Sequence, residues 1–119
     1  MESRYLYLAL SYIVLFSILA VGGRAMPLLG RWQPIQNLSE PRVQRIGQFA
    51  VSEYNQRSKA LLIFESVVEG ESQVVKGINY RLVVAAKDRE ATNNYEAIVL
   101  EREWEHFRNL TSFKELLQQ

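Results

Sequence analysis

Apolar side chains recur along this chain at two different spacings, and the change between them falls near residue 60. In PRVQRIGQFAVSEYNQRSK, residues 41–59, Val43, Ile46, Gly47, Ala50 and Tyr54 return every third or fourth position, which places them on one face of a helix. Arg42, Arg45, Gln48, Ser52 and Gln56 fall on the opposite, solvent-facing side. Ser39 is positioned to act as the N-cap, with Pro41 in the first turn. Gly47 and Ala50 flatten the apolar stripe. A glycine inside a helix costs about 1 kcal/mol relative to alanine, so a close approach to another backbone, that of a sheet, is the expected compensation.

Beyond the helix the period becomes two. LLIFESVV at 61–68, INYRLVVAA at 78–86 and YEAIVL at 95–100 are rich in β-branched and aromatic residues and predict three strands. The polar breaks at Lys87 to Asn94 and Glu101 to Glu105 have hairpin length, so the sheet is expected to be antiparallel. Tyr80, Leu82, Val84 and Ala86 share one face, as do Tyr95, Ala97 and Val99, and a helix laid across that face buries both sets. The tail FRNLTSFKELL fits a short strand or a loose helix. Upstream, MPLLGRWQPIQNL carries two prolines and a glycine and reads as an extended, exposed apolar arm with at most one short strand.

The start of the chain is different in kind. Tyr5 to Val21 is a run of seventeen uncharged residues behind the single Arg4. It is at the short end of the roughly 17–25 residues a bilayer-spanning helix needs, and no Lys or Arg cluster follows it. Small residues then occur where a signal peptidase requires them, with Gly23-Arg24-Ala25 preceding Met26-Pro27. The expectation is a signal peptide over residues 1–25 and a single domain over 26–119, and not an uncleaved anchor. Two glycosylation sequons, Asn37-Leu38-Ser39 and Asn109-Leu110-Thr111, agree with a secretory route.

Composition narrows the chemistry. The chain has 119 residues, 14 Lys plus Arg, 13 Asp plus Glu, one His and no Cys. Removal of residues 1–25 takes Glu2, Arg4 and Arg24 and leaves 12 basic and 12 acidic residues. With both signs interspersed and no basic run, the electrostatic footprint of a nucleic-acid binder is missing. Without Cys there is no disulfide, no thiolate nucleophile and no Cys-ligated zinc, so the domain must hold itself by packing. His106 and Asp88 are the sole His and Asp, and no nucleophile elbow accompanies them, so a catalytic triad is rejected. The expectations are no enzyme activity, no cofactor and no metal.

Two apolar places exceed what the core requires. Between the first two strand segments lies EGESQVVKG, residues 69–77. Glu69-Gly70-Glu71-Ser72 is ordinary turn chemistry, and a reversal there would leave Val74 and Val75 to begin the next strand. A reversal near Gly77 would instead expose both valines at a hairpin tip. Trp104, in EREWEHF, either alternates inward or stands out as an exposed aromatic anchor of the kind that dominates binding interfaces. Trp32, in the arm, poses the same choice.

These residues resemble the plant cystatins, a branch of the cystatin inhibitors of papain-like cysteine proteases. Ile46-Gly47-Gln48-Phe49-Ala50-Val51, followed by Glu53-Tyr54-Asn55, is similar to the plant-type helix signature. Gln73-Val74-Val75-Lys76-Gly77 resembles the Q-x-V-x-G first hairpin loop, Trp104 takes the place of the second-loop tryptophan, and Gly30 that of a glycine in the arm. The motifs stand in family order over nearly all of residues 26–119. The resemblance implies an α+β fold in which a four- to five-stranded antiparallel sheet wraps around one long α-helix. It also implies that the arm and two hairpin loops form a wedge that enters a protease cleft, with Gly30, Gln73, Val74, Val75, Lys76, Gly77 and Trp104 as the protease-binding residues.

On that resemblance the chain is expected to be a secreted, monomeric, reversible and competitive inhibitor of papain-like proteases. It would be glycosylated at Asn37 and Asn109, extracellular in the apoplast or vacuolar, with no membrane attachment after cleavage. Three positions depart from the family pattern. Arg31 stands where plant members usually have a second glycine, Lys76 where alanine or serine is commoner, and Glu103 where proline precedes the tryptophan. They leave open an alternative: a cystatin-fold secreted protein with weak or no inhibitory activity and a different binding role.

Overall fold

The computed structural model describes residues 30–117, so the expected leader and its cleavage site lie outside the described residues. A short strand β1 (Trp32–Pro34) leads into helix α1 (Pro41–Ser58), followed by β2 (Ile63–Val75), β3 (Gly77–Asp88), β4 (Ala91–Arg102), a 3-10 turn (Glu103–Glu105) and β5 (Phe107–Glu115). The strands form one sheet in the order β1-β2-β3-β4-β5, each antiparallel to its neighbours. No helix among the described residues is long and apolar enough to cross a membrane.

The predicted faces are the buried ones. Val43, Ile46, Ala50 and Val51 of α1 pack on Val67 of β2, on Tyr80, Leu82, Val84 and Ala86 of β3, on Tyr95, Ala97 and Val99 of β4 and on Leu110 of β5. The tail is a strand and not a helix. Phe113 of that strand stacks on Tyr54 at 4.2 Å and on Tyr95 at 5.3 Å between ring centroids, closing the end of the core. The register slips twice in β2, between Phe64 and Ser66 and between Val67 and Glu69, and once between β4 and β5 at Ile98 and Val99. Such bulges bend a strand and increase its twist, which lets the sheet curl about the helix.

Gly47 is the point of closest approach. A Cβ built on it would lie 2.6 Å from Val67 Cγ2 and 3.0 Å from Phe64 Cε1. The missing side chain is therefore required by the sheet, but the space is taken by side chains of β2 and β3 and not by the sheet backbone that the sequence led one to expect.

Several local expectations are corrected. Ser39 is not the N-cap: Glu40 holds that position without a side-chain cap bond. Ser39 is instead drawn into a turn with Asn37, whose Oδ1 accepts from the Ser39 backbone N–H at 3.1 Å and from its hydroxyl at 2.7 Å. Glu69-Gly70-Glu71-Ser72 is not a turn but the middle of β2. Gly70 serves there to admit the arm: its carbonyl accepts from the Ile35 N–H at 3.0 Å, and a Cβ on it would meet Leu82, Ile35 and Leu38 within 3.2 Å. The arm is accordingly less exposed than its composition suggests, since Ile35 and Leu38 pack on the core. β3 and β4 run longer than their apolar segments, and their connection shrinks to Arg89 and Glu90, with Arg89 at φ 61°. Arg42, expected on the solvent side, is half-buried by ion pairs described below.

Two measurements test this packing. Gly47→Ala improves helix propensity by about 1 kcal/mol, yet forces a methyl into Val67 at a cost of about 1–3 kcal/mol, so it should lower stability by denaturant melting. A stabilised variant would contradict the close helix–sheet contact. Burial pushes the phenols of Tyr80 and Tyr95 above the ordinary tyrosine value of 10.0. The unfolded chain therefore loses these protons first, and stability should fall as pH rises above 10. Tyr80→Phe with Tyr95→Phe should flatten that fall, and an unchanged pH profile would contradict it.

Candidate functional site

The hairpin between β2 and β3 reverses at Lys76, not at Gly70. β2 continues through Val75, where Val74 pairs with Ile78 and Val75 with Gly77. Val74 and Val75 are each 37% exposed and Trp104 is 62% exposed. Both apolar places left open by the sequence are thus on the surface, at the same end of the sheet. Trp32 is not among them: it is half-buried beneath the Arg81 guanidinium, 4.2 Å from the ring centroid, and Arg81 is held in turn by Glu71.

Three sets of polar contacts fix the geometry of this edge. The first joins the arm to the hairpin. The Gly30 N–H donates to the Val74 carbonyl at 3.0 Å, and Gln73 Nε2 donates to the Gly30 carbonyl at 2.9 Å. Asn79 Nδ2 donates to Gln73 Oε1 at 3.1 Å, so the Gln73 side chain is itself held. Gly30 has φ 81°, a left-handed conformation open to glycine at little cost.

The second set joins the hairpin to the loop after β4. Gly77 has φ 109°, and a Cβ on it would lie 2.5 Å from the Glu101 carbonyl oxygen. Only a glycine lets the two backbones approach this closely. Arg102 Nε then donates to the Lys76 carbonyl at 2.9 Å, while its guanidinium lies 3.7 Å from Glu105 and over the Phe107 ring. The second loop itself is a single 3-10 turn, closed by the His106 N–H on the Glu103 carbonyl at 3.0 Å, with His106 at φ 51°.

The third set lies below that loop. Glu101 is 6% exposed and accepts from Arg108 Nε at 2.9 Å. Arg42, in the first turn of α1, stands 3.6 Å from Glu101 Oε1 and donates to the Glu103 carboxylate. That hydrogen bond raises the Arg42 pKa above its ordinary value. Two guanidinium groups thus face two carboxylates, and the buried one is flanked on both sides.

The structure brings together Gly30, Gln73, Val74, Val75, Lys76, Gly77 and Trp104. Asn37 and Asn109 lie apart from them, Asn37 in the exposed turn before α1 and Asn109 on β5 opposite Leu100. Asp88 is at the other end of β3 from the loop that carries His106. Among the described residues, no three His, Asp or Glu side chains converge as metal ligands.

Sequence reasoning passed over Arg42, Glu101, Arg102 and Arg108. One signal for them was present. Glu101 continues the alternation of Tyr95, Ala97 and Val99 onto the buried face, and a carboxylate there requires cationic partners.

Comparison with known proteins agrees with the geometry. A family profile described as "Aspartic acid proteinase inhibitor" matches residues 35–116. The chain is 53% identical over 96 residues to cysteine proteinase inhibitor 1 of Actinidia chinensis var. chinensis, covering 81% of this chain and 83% of that protein. It is 50% identical over 115 residues to cysteine proteinase inhibitor 5 of Arabidopsis thaliana, covering 96% of this chain and 93% of that protein. Among solved structures, the salivary cystatin of the soft tick Ornithodoros moubata superposes with a TM-score of 0.67 at 20% identity, over 76% of this chain and 100% of that one, a likeness of fold. The arm, the two loops and the helix on its antiparallel sheet, taken with these relatives, place the chain in the cystatin family, in its plant branch, whose members are protease inhibitors and not enzymes.

Proposed function

We propose that the protein is a reversible, competitive inhibitor of papain-like cysteine proteases, which fills the active-site cleft with the Gly30 arm, the Gln73–Gly77 hairpin tip and the Trp104 loop. The observation that carries this reading is the exposure of Val74, Val75 and Trp104 on one edge whose backbone is tied at Gly30, Gln73, Gly77 and Arg102. A monomeric domain leaves such side chains in water at a cost of roughly 25 cal/mol per Å² of apolar area, and a dry cleft recovers it. Aromatic and aliphatic anchors supply most of the affinity of such interfaces.

Inhibition here needs no chemistry. The edge offers no nucleophile, and the loops lose little conformational freedom on docking because they are already tied, which favours tight binding at ordinary interface size. The names of the plant relatives, which are cysteine proteinase inhibitors, support the same target class.

The reading includes secretion, with removal of residues 1–25 and modification at the sequons. Asn37 sits in an exposed turn in which the Ser39 hydroxyl already bonds its side chain. Amino-terminal sequencing of protein recovered from a plant cell medium should start at or near Met26; a start at Met1 would sink the processing claim.

Titration of papain with the protein is the test of inhibition, and full activity in the presence of micromolar protein would favour a non-inhibitory binding role. Trp104→Ala, and Val74→Ala with Val75→Ala, should each weaken inhibition by roughly 1–4 kcal/mol while the melting temperature stays close to that of the parent. If either change instead unfolds the domain, those side chains belong to the core and not to the contact edge.

A further inference from the structure

Trp104 has little of its own to hold it. It sits in the middle of a one-turn 3-10 helix that buries none of its residues and has no side-chain cap. Nearly two-thirds of its surface is in water, so packing does not fix the ring. Glu105, on its far side, lies 3.7 Å from Arg102 at the end of β4, whereas the contact that reaches the helix is made by the residue just before the tryptophan. The Glu103 carboxylate accepts from Arg42 Nη2, across 61 positions of sequence, and Arg42 is anchored by the first turn of α1 and by the buried Glu101.

As a contribution to folding this link is small. Glu103 is largely exposed and Arg42 partly so, and ion pairs in such settings contribute little to stability. As a geometric constraint it is more important, since it joins the base of the second loop to the rigid helix. We propose that Arg42 and Glu103 form a tether whose role is to position Trp104 for the target protease; both are positioning residues for binding, and the inference rests on the inhibitory reading above.

The backbone indicates what could replace the tether. Glu103 opens the 3-10 turn, where a proline is tolerated, and Arg102 before it is already extended and outside the α region that a following proline disfavours, at φ −122° and ψ 95°. A proline at 103 would stiffen the turn through its ring, without a charge. The ion pair is then this chain's way of restraining a loop that lacks such a ring.

The experiment measures papain inhibition by the parent, Arg42→Ala, Glu103→Ala, the double variant, Glu103→Pro and Trp104→Ala. In parallel, the anisotropy decay of Trp104 is recorded in a Trp32→Phe background, where it is the sole tryptophan. Each alanine change should weaken inhibition about fivefold through faster dissociation, and the double variant should be no worse than the singles. Glu103→Pro should restore inhibition, and about 1 M salt should erase the difference between the parent and Glu103→Ala. Trp104 should gain amplitude of fast motion in Glu103→Ala while the melting temperature shifts by less than about 4 °C.

If Glu103→Ala inhibits like the parent while Trp104→Ala is impaired, the tether is overturned and the inhibitory reading stands. Loss in Arg42→Ala without loss in Glu103→Ala also overturns it, because the arginine would then act through Glu101. An anisotropy decay that Glu103→Ala leaves unchanged overturns it by a readout independent of any protease. Trp104→Ala inhibiting like the parent overturns the tether together with the site it serves.

Discussion

The contact between Gly77 and the Glu101 carbonyl sets the spacing from which the rest of the edge follows. Because no Cβ intervenes, the first hairpin tip lies directly against the end of β4. That closeness puts the Lys76 carbonyl within reach of Arg102, and it directs the chain after Arg102 into the turn that carries Trp104. On the other side, the Val74 carbonyl is left to take the Gly30 N–H, so the arm is aligned from the same hairpin. A side chain at 77 would push the two loops apart and disturb the contact between Arg102 and the Lys76 carbonyl.

The same end of the sheet carries a second constraint, of charge. β4 leaves the apolar core on Glu101, which by strand alternation turns inward and is almost wholly removed from water. Burial of a carboxylate is unfavourable unless it is paired and hydrogen-bonded; Arg108 of β5 donates to Oε2, while Oε1 has no hydrogen-bond partner and is paired only by charge with Arg42 of α1 at 3.6 Å. Helix, last strand and second loop are therefore coupled at one point. Arg42, which covers Glu101, has further capacity to reach Glu103, and this links the core's electrostatics to the exposed tryptophan.

Much of the fold was legible from periodicity. The inward faces of β3 and β4 correspond residue by residue to the buried core, and the helix stripe does so except that Tyr54 is only partly buried and Val51 joins the core, because each set answers to one dominant force, the removal of apolar surface from water. What was not legible depended on contacts between distant segments. Gly70 reads locally as a turn residue, yet it sits in mid-strand because Ile35 and Leu38, some thirty positions earlier, require its empty side. Ser39 reads as a cap until Asn37 captures it. The tail's mixed pattern becomes a strand because β4 offers it a partner edge. For the site, Val74, Val75 and Trp104 were each ambiguous alone; the motif order of the family resolved them, whereas Glu101 shows only its inward alternation and Arg42 and Arg102 have roles that no local pattern expresses.

The central claim is that the edge is built before its target arrives. The most direct measurement is backbone 15N relaxation on the free protein at Gly30, Gln73 to Gly77 and Arg102 to His106. The account predicts order parameters near those of the central strands, about 0.85. Values below about 0.6 across these loops would contradict it, and would mean that the protease, and not the fold, arranges the wedge.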